Sequence, residues 1–190
     1  MRGSNNNVIS KDNYRDGITS FHFTGSNISI SGNIATLLNW KTVAIGGLPT
    51  LEDDAFRGLF LVNPYEFLGS DEPSEFHYSI VDASKLILPY TKLAVGCYES
   101  MFAGCSSLIY PPVLPATTLA EYCYETMFYY CQGLLNTPVL PATTVPAHAY
   151  SGMFSGCISL TTAPQLSATT IGNGAYLSMF YDCTFLTTAP

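Results

Sequence analysis

From Cys97 onward, apolar and polar positions recur with a period of 26 residues. Four segments align without gaps: CYESMFAGCSSLIYPPVLPATTLAEY from Cys97, CYETMFYYCQGLLNTPVLPATTVPAH from Cys123, AYSGMFSGCISLTTAPQLSATTIGNG from Ala149 and AYLSMFYDCTFLTTAP from Ala175. Identical columns hold Tyr98, Tyr124, Tyr150 and Tyr176, then Phe102, Phe128, Phe154 and Phe180, then Cys105, Cys131, Cys157 and Cys183. Methionine (from Met101), leucine (from Leu108) and proline (from Pro112) supply further columns. The later part of the unit extends one period backwards, where Leu88, Pro89, Thr91 and Leu93 match Leu114, Pro115, Thr117 and Leu119. So short a unit cannot bury its own apolar face, and neighbouring units must stack. The fold class this predicts is a repeat solenoid of short strands and short helical turns. Each column then forms a ladder of like side chains, about 4.7 to 4.9 Å apart where strands pair and wider elsewhere.

Within the unit, Tyr98, Met101, Phe102 and Cys105 fall at i, i+3, i+4 and i+7, the spacing of a short helical turn. Gly104 and Gly156 follow it, where a left-handed cap is expected. The stretch from Leu108 to Leu114 is apolar and broken by proline, which suits a short strand followed by a polyproline-like segment. The PATT segment supplies a turn and a bridge to the next unit.

The first half is organised differently. Residues 1–17 are polar and expected to be loosely held. Phe21 and Phe23, then Ile28 and Ile30, alternate with small polar residues and predict a hairpin turning at Gly25-Ser-Asn. Ser31-Gly-Asn precedes IATLLNW, a short apolar helix with N-terminal capping. Residues 18–54 therefore read as a strand-and-helix cap over the first unit, an α+β end piece, in preference to an independent catalytic domain. Residues 55–96 read as a degenerate repeat, with Phe60 in the phenylalanine column and Asn63 at the cysteine position. An insertion is implied there, placed in the acidic and aromatic PYEFLGSDEPSEFHYS. That loop reads equally as a functional excursion or a solvated one. The regular units are 97–122, 123–148, 149–174 and the partial 175–190.

The order LPATTL, CYxxMFxGCxSL, PxLPATT resembles the leucine-rich repeats of the BspA-like type, whose unit reads roughly IP.S, I, AF..C.SL. The resemblance covers residues 86–190, with a unit a few residues longer and proline interrupting the strand region. It implies a right-handed, curved solenoid with a strand on the concave side, and a role in surface adhesion or attachment. Repeats of this LPATT kind also look like those in surface proteins of gut anaerobes and their phages.

Charge narrows the partners. The chain carries 7 basic and 14 acidic residues, and every Lys and Arg lies before position 93. Phosphate neutralisation needs clustered Lys and Arg, so nucleic acid and anionic lipid are poor partners. No apolar run approaches the roughly 18 to 20 residues of a membrane span, so no membrane insertion is expected. The start, MRGSNNN, is polar and does not read as a signal peptide. Six cysteines invite a disulfide framework, a metal site or buried thiols. No CxxC occurs, and alanine replaces Cys97 and Cys123 at Ala149 and Ala175, which favours packing as buried free thiols without a metal or cofactor. Glu99 and Glu125 share a column; a like-charge pair there can raise a pKa and serve acid–base work, but the preferred reading is a solvated face. GxSxG, HExxH, GxGxxG and Walker loops are absent from the sequence, and no enzyme is expected.

Columns that packing does not dictate are the better functional signal. Tyr110, Tyr129, Tyr130 and Tyr181 break theirs with bulky amphipathic rings suited to a protein or glycan contact. The competing reading is that they only cover the turn. The C-terminal end, with Phe180, Phe185 and Leu186, reads as an uncapped edge suited to self-association or to continuation. The expectation is a non-catalytic binding module that attaches to a protein or glycan at a cell surface. The alternative is a structural subunit of an extracellular or phage virion assembly, joined through that edge. The expected location is extracellular or cell-surface, with the virion as alternative.

Overall fold

The computed structural model describes residues 27–62, 80–188 and 190. Residues 1–17, the first arm of the expected hairpin, Asn63 and the acidic insertion lie outside the described residues. Strand β1 (Ile28–Asn33) pairs in parallel with β2 (Ile80–Ile87), so its observed partner lies far along the chain. Register shifts interrupt the ladder, and β2 accordingly buries Ile80, Ala83 and Leu86 at intervals of three rather than two. Helix α1 (Thr36–Ala44) kinks at Asn39, which has φ −155° and ψ 94° and divides it into two short helical pieces. Its entry is held by Asn33, whose Oδ1 accepts from Ala35 N–H at 3.0 Å and whose carbonyl accepts from Thr36 Oγ1 at 2.7 Å.

The helical turn expected over residues 97–105 does not form. Consecutive β-turns replace it, and the left-handed conformation returns every fourth residue, at Gly96, Ser100 and Gly104. The same rhythm recurs at Tyr122, Thr126 and Tyr130, at His148, Gly152 and Gly156, and at Gly174, Ser178 and Asp182. Met101 N–H donates to Tyr98 carbonyl at 3.3 Å and Cys105 to Phe102 at 3.0 Å, each closing a turn whose third residue has positive φ, the type II signature. The alternate N–H groups point out of the unit. Gly96, Tyr98, Ser100, Phe102 and Gly104 donate to Glu121, Cys123, Glu125, Met127 and Tyr129 of the next unit at 2.7 to 3.1 Å. Residues 122–130 and 148–156 repeat the pattern on their successors, and residues 54–62 make it to residues 95–103.

Side chains follow the same register. Phe60, Phe102, Phe128, Phe154 and Phe180 stack with ring centroids 5.2 to 5.8 Å apart. Phe56, Tyr98, Tyr124, Tyr150 and Tyr176 form a second column at 5.6 to 5.9 Å. Phe60 thus lies in the phenylalanine column across an interval of 42 residues, one period plus the insertion. Both columns belong to one continuous core that also takes in Ile30, Ile34 and Leu38 of the N-terminal elements.

Parallel pairing within the repeats falls mostly in the threonine-rich PATT segment, with one further bridge between Thr162 and Thr188. In that segment β3 (Thr144–Val145) pairs with β4 (Thr170–Ile171), and Lys92 bridges to Thr118. Residues 108–114 form no strand; Tyr110 makes a single bridge to Asp82. Proline accounts for this, since Pro111 and Pro112 have no N–H to give a ladder. The extended chain there alternates by side chain alone, with Pro112, Leu114 and Ala116 buried and Val113 exposed.

Candidate functional site

The turn segment carries three of the four tyrosines singled out by the sequence and brings two of them into contact. Tyr129 and Tyr130 meet edge to face at 4.6 Å. Tyr181 shares the Tyr129 column two units on, with the small, buried Ser155 between them. Burial first, then Tyr130 and Tyr181, push the Tyr129 phenol upward in pKa. Tyr181 is 70% exposed, while Tyr129 and Tyr130 are half-buried.

Tyr130 occupies a position its neighbours give to glycine. Its φ is 55°, in the column of Gly104 (φ 78°), Gly156 (φ 75°) and Asp182 (φ 59°). A left-handed conformation costs an L side chain roughly 1 to 2 kcal/mol. The Tyr130 ring lies against Gly156, where an added Cβ would stand 2.8 Å from the ring. Tyr122 (φ 60°) and the β-branched Thr126 (φ 51°) are further outliers of the same unit; Tyr122 stacks on His148 at 5.1 Å and Thr126 Oγ1 hydrogen-bonds Ser100 Oγ at 2.8 Å. Tyr110 stands apart from this group. It is exposed beside β2, in the column of Asn136, Thr162 and Thr188.

Sequence reading missed an exposed apolar stripe. Ile87, Val113 and Val139 occupy one column of successive units and all point outward, Val139 at 78% exposure. Leu135 is exposed nearby in sequence. The signal was the alternation in Pro-Val-Leu, where leucine and proline take the inner face and valine is left outside.

The C-terminal edge has a defined chemistry. Each inner unit directs its alternate N–H groups to the following unit, and for Gly174, Tyr176, Ser178, Phe180 and Asp182 the described residues offer no backbone acceptor. The edge presents a row of donors with no interleaved acceptors from the same set. Phe185 is 65% exposed there, whereas Phe180 and Leu186 are half-buried and pack on the core instead of projecting.

The cysteine column is a hydrogen-bonding device. Cys105, Cys131, Cys157 and Cys183 donate their thiols to the carbonyls of Phe60, Phe102, Phe128 and Phe154, one unit back, at 3.0 to 3.3 Å. The Phe102 carbonyl also accepts the Cys105 turn bond, so both of its lone pairs are used. All six cysteines are free, five of them buried. Burial pushes the Cys105 and Cys123 thiols up to about 12 and raises the others. A thiol held protonated is a poor nucleophile and a poor metal ligand. Among the described residues no three His, Cys, Asp or Glu converge as a metal site. No described helix is long and apolar enough to cross a membrane.

Glu99 is the most perturbed carboxylate described. Burial pushes it up to about 7, against the pull of Arg57, whose Nη2 lies 2.8 Å from Glu99 Oε1, and with Glu125 and Asp54 adding repulsion. Desolvation outweighs the ion pair here because the carboxylate is largely covered while Arg57 remains partly exposed.

Compared with protein-family models, curated proteins and solved structures, the chain matches none of them.

Proposed function

We propose that the chain is a repeat solenoid of the leucine-rich-repeat type and acts as a non-catalytic binding module. Its contact surface is built on Tyr129, Tyr130 and Tyr181, and its ligand is a protein or glycan at a cell surface. The observation that carries this reading is the backbone cost at Tyr130. Flanking units fill the same left-handed position with glycine, so the ring is held there against local conformational preference. Strain retained at a partly exposed aromatic residue is accounted for by contact with a ligand. Tyr129 and Tyr181 extend the surface along the stack, and their rings and hydroxyls suit a protein hot spot or a sugar face.

The test is binding of the fluorescently labelled chain to intact bacterial and host cells, before and after protease or periodate treatment. Loss after protease indicates a protein receptor, and loss after periodate a glycan. Tyr130→Gly, alone and with Tyr129→Ala, is expected to abolish binding while leaving the unfolding midpoint unchanged or higher. Retained binding by the double variant overturns the reading.

A second reading is favoured by the donor row at Tyr176, Ser178, Phe180 and Asp182. Here the chain is a structural subunit joined through this edge to a segment that presents carbonyl groups. Two such edges face to face would oppose donor to donor, so a symmetric tail-to-tail dimer does not suit it. Light scattering of the wild-type and Phe185→Asp chains tests it, with a fall in assembly mass expected and an unchanged mass counting against it.

A further inference from the structure

The core columns of tyrosine, methionine, phenylalanine, cysteine and leucine hardly change from unit to unit, so they pack as well one unit out of place as in place. Looping out a whole unit costs little more chain entropy than a shorter loop does. Register must therefore be set by columns that vary. The left-handed positions of the turn stretch form three such columns, in which glycine is interspersed with larger residues. A side chain at one of these positions leans over the same position of the following unit. The Tyr130 ring lies 2.8 Å from where a Cβ on Gly156 would stand, the His148 ring 2.6 Å from one on Gly174, and Thr126 Cγ2 3.1 Å from one on Gly152. The Asp54 carboxylate covers Gly96 in the same way. In all four pairs the seat is glycine, and a side chain there would displace the one that covers it. Two neighbours without glycine fit by other means: Tyr122 stacks flat on His148, and Ser100 hydrogen-bonds Thr126.

We infer that these pairs of leaning residue and glycine are a register key, which opposes alignments that skip a unit during folding. If residues 122–130 stacked on residues 174–182, with the intervening unit looped out, the Tyr130 ring would meet the Cβ of Asp182. Asp182 has the left-handed conformation of Gly156 (φ 59° against 75°) but not its open seat. Thr126 would meet Ser178, a pairing that the column already accommodates between Ser100 and Thr126. If residues 54–62 stacked on residues 122–130, Asp54 would meet Tyr122 in place of Gly96. The core columns contribute equally in either alignment, so this overlap decides between them. Stacking of residues 96–104 on residues 148–156 meets no such obstacle, because Gly96 and Gly104 have no side chain to lean. That skip, which loops out residues 123–148, is an internal reference. The key answers the hazard peculiar to arrays of like units, which misassemble through the same contacts that assemble them.

The test is refolding of the full chain from urea, followed by brief proteolysis and mass spectrometry, because a looped-out unit is cut within its own sequence. Two variants remove the same overlap from opposite sides. Tyr130→Gly takes away the ring, whereas Asp182→Gly takes away the obstacle and leaves the ring in place. Both put glycine at a position of positive φ, which it adopts without strain. Each is expected to raise cleavage within residues 149–174 of freshly refolded chain by about tenfold over the wild type. Cleavage within residues 123–148 should be unchanged in both. Tyr130→Phe keeps the ring and should refold as the wild type does. A wild-type cleavage pattern in both glycine variants, or an increase in only one of them, overturns the inference. No ligand takes part in this measurement, so the register key and the binding surface fail separately.

Discussion

Two stretches of one unit hold their neighbours by different means. In residues 122–130 every second N–H crosses to the next unit and the others close turns within the unit, so the backbone itself fixes the register. Residues 135–142 make no backbone–backbone hydrogen bond among the described residues. Pro138 and Pro141 have no N–H to give, and the chain is held by Pro138, Leu140 and Ala142, which point inward. The turn stretch carries Gly, Ser, Thr, Tyr, His and Asp at its left-handed positions but repeats its rings faithfully. The extended stretch restricts only alternate side chains and leaves Val113, Val139 and Gln165 outside, where the column changes character. Rigidity of the main chain and freedom of the side chain are thus separated within each repeat.

Substitutions can break this contrast at graded strength. Phe128→Ala removes a buried ring clamped between Phe102 and Phe154 and should cost about 3 to 5 kcal/mol in urea unfolding. Gly156→Ala places a side chain at φ 75° against the Tyr130 ring, for about 1 to 2 kcal/mol. Part of that loss should return in a Tyr130→Ala background, which a double-mutant cycle measures. Cys131→Ala deprives the Phe102 carbonyl of its thiol donor, and a loss of about 1 kcal/mol is expected.

A pH scan addresses the turn stretch without altering its packing. Glu99 is pushed from the ordinary 4.5 to about 7 in the folded chain, so the folded state holds its proton more tightly than the unfolded state does. Its contribution to stability is greatest below about pH 4.5, declines as pH rises to about 7, and is constant above. Glu99→Gln should flatten that decline, and an unchanged profile would remove Glu99 as its source. The smallest effect belongs to the extended stretch. Val113→Ser with Val139→Ser should shift stability by no more than about 0.5 kcal/mol per site. A larger loss would mean that the outer face is covered.

The columns were legible in the sequence because a fixed period needs no knowledge of local geometry. Local conformation was not. Tyr98, Met101, Phe102 and Cys105 fit a period of 3.6 as well as a period of 4, because the two differ by less than one residue over so short a run. The deciding signal was available in Gly152 and Gly156, four apart and both left-handed, but the aligned units hide it behind Thr126 and Tyr130, or Ser178 and Asp182. Gly104 and Gly156 do have positive φ, as one beat of a repeating series and not as a helix cap. The outward valines escape notice because an apolar column in Pro-Val-Leu fits an inward face as readily as an outward one. The hydroxyls of Tyr98, Tyr124 and Tyr150, buried without a hydrogen bond among the described residues, escape it because tyrosine's ring and its hydroxyl place opposite demands on the same position.

The one-way hydrogen bonds of the turn stretch also have an electrostatic consequence. Peptide dipoles that point the same way add, as they do along an α-helix. Here they lie across the chain, parallel to the direction of stacking, and each interface contributes five in the same sense. The positive pole therefore falls at the C-terminal face, where the N–H groups of residues 174–182 emerge, the reverse of a helix. In a chain of net charge −7 whose second half has no Lys or Arg, the turn stretch at residues 174–182 thus carries partial positive charge from its backbone N–H groups, while the bonds of the threonine-rich segments run the other way. The acidic side chain of Asp182 lies at that pole, where an anion is favoured.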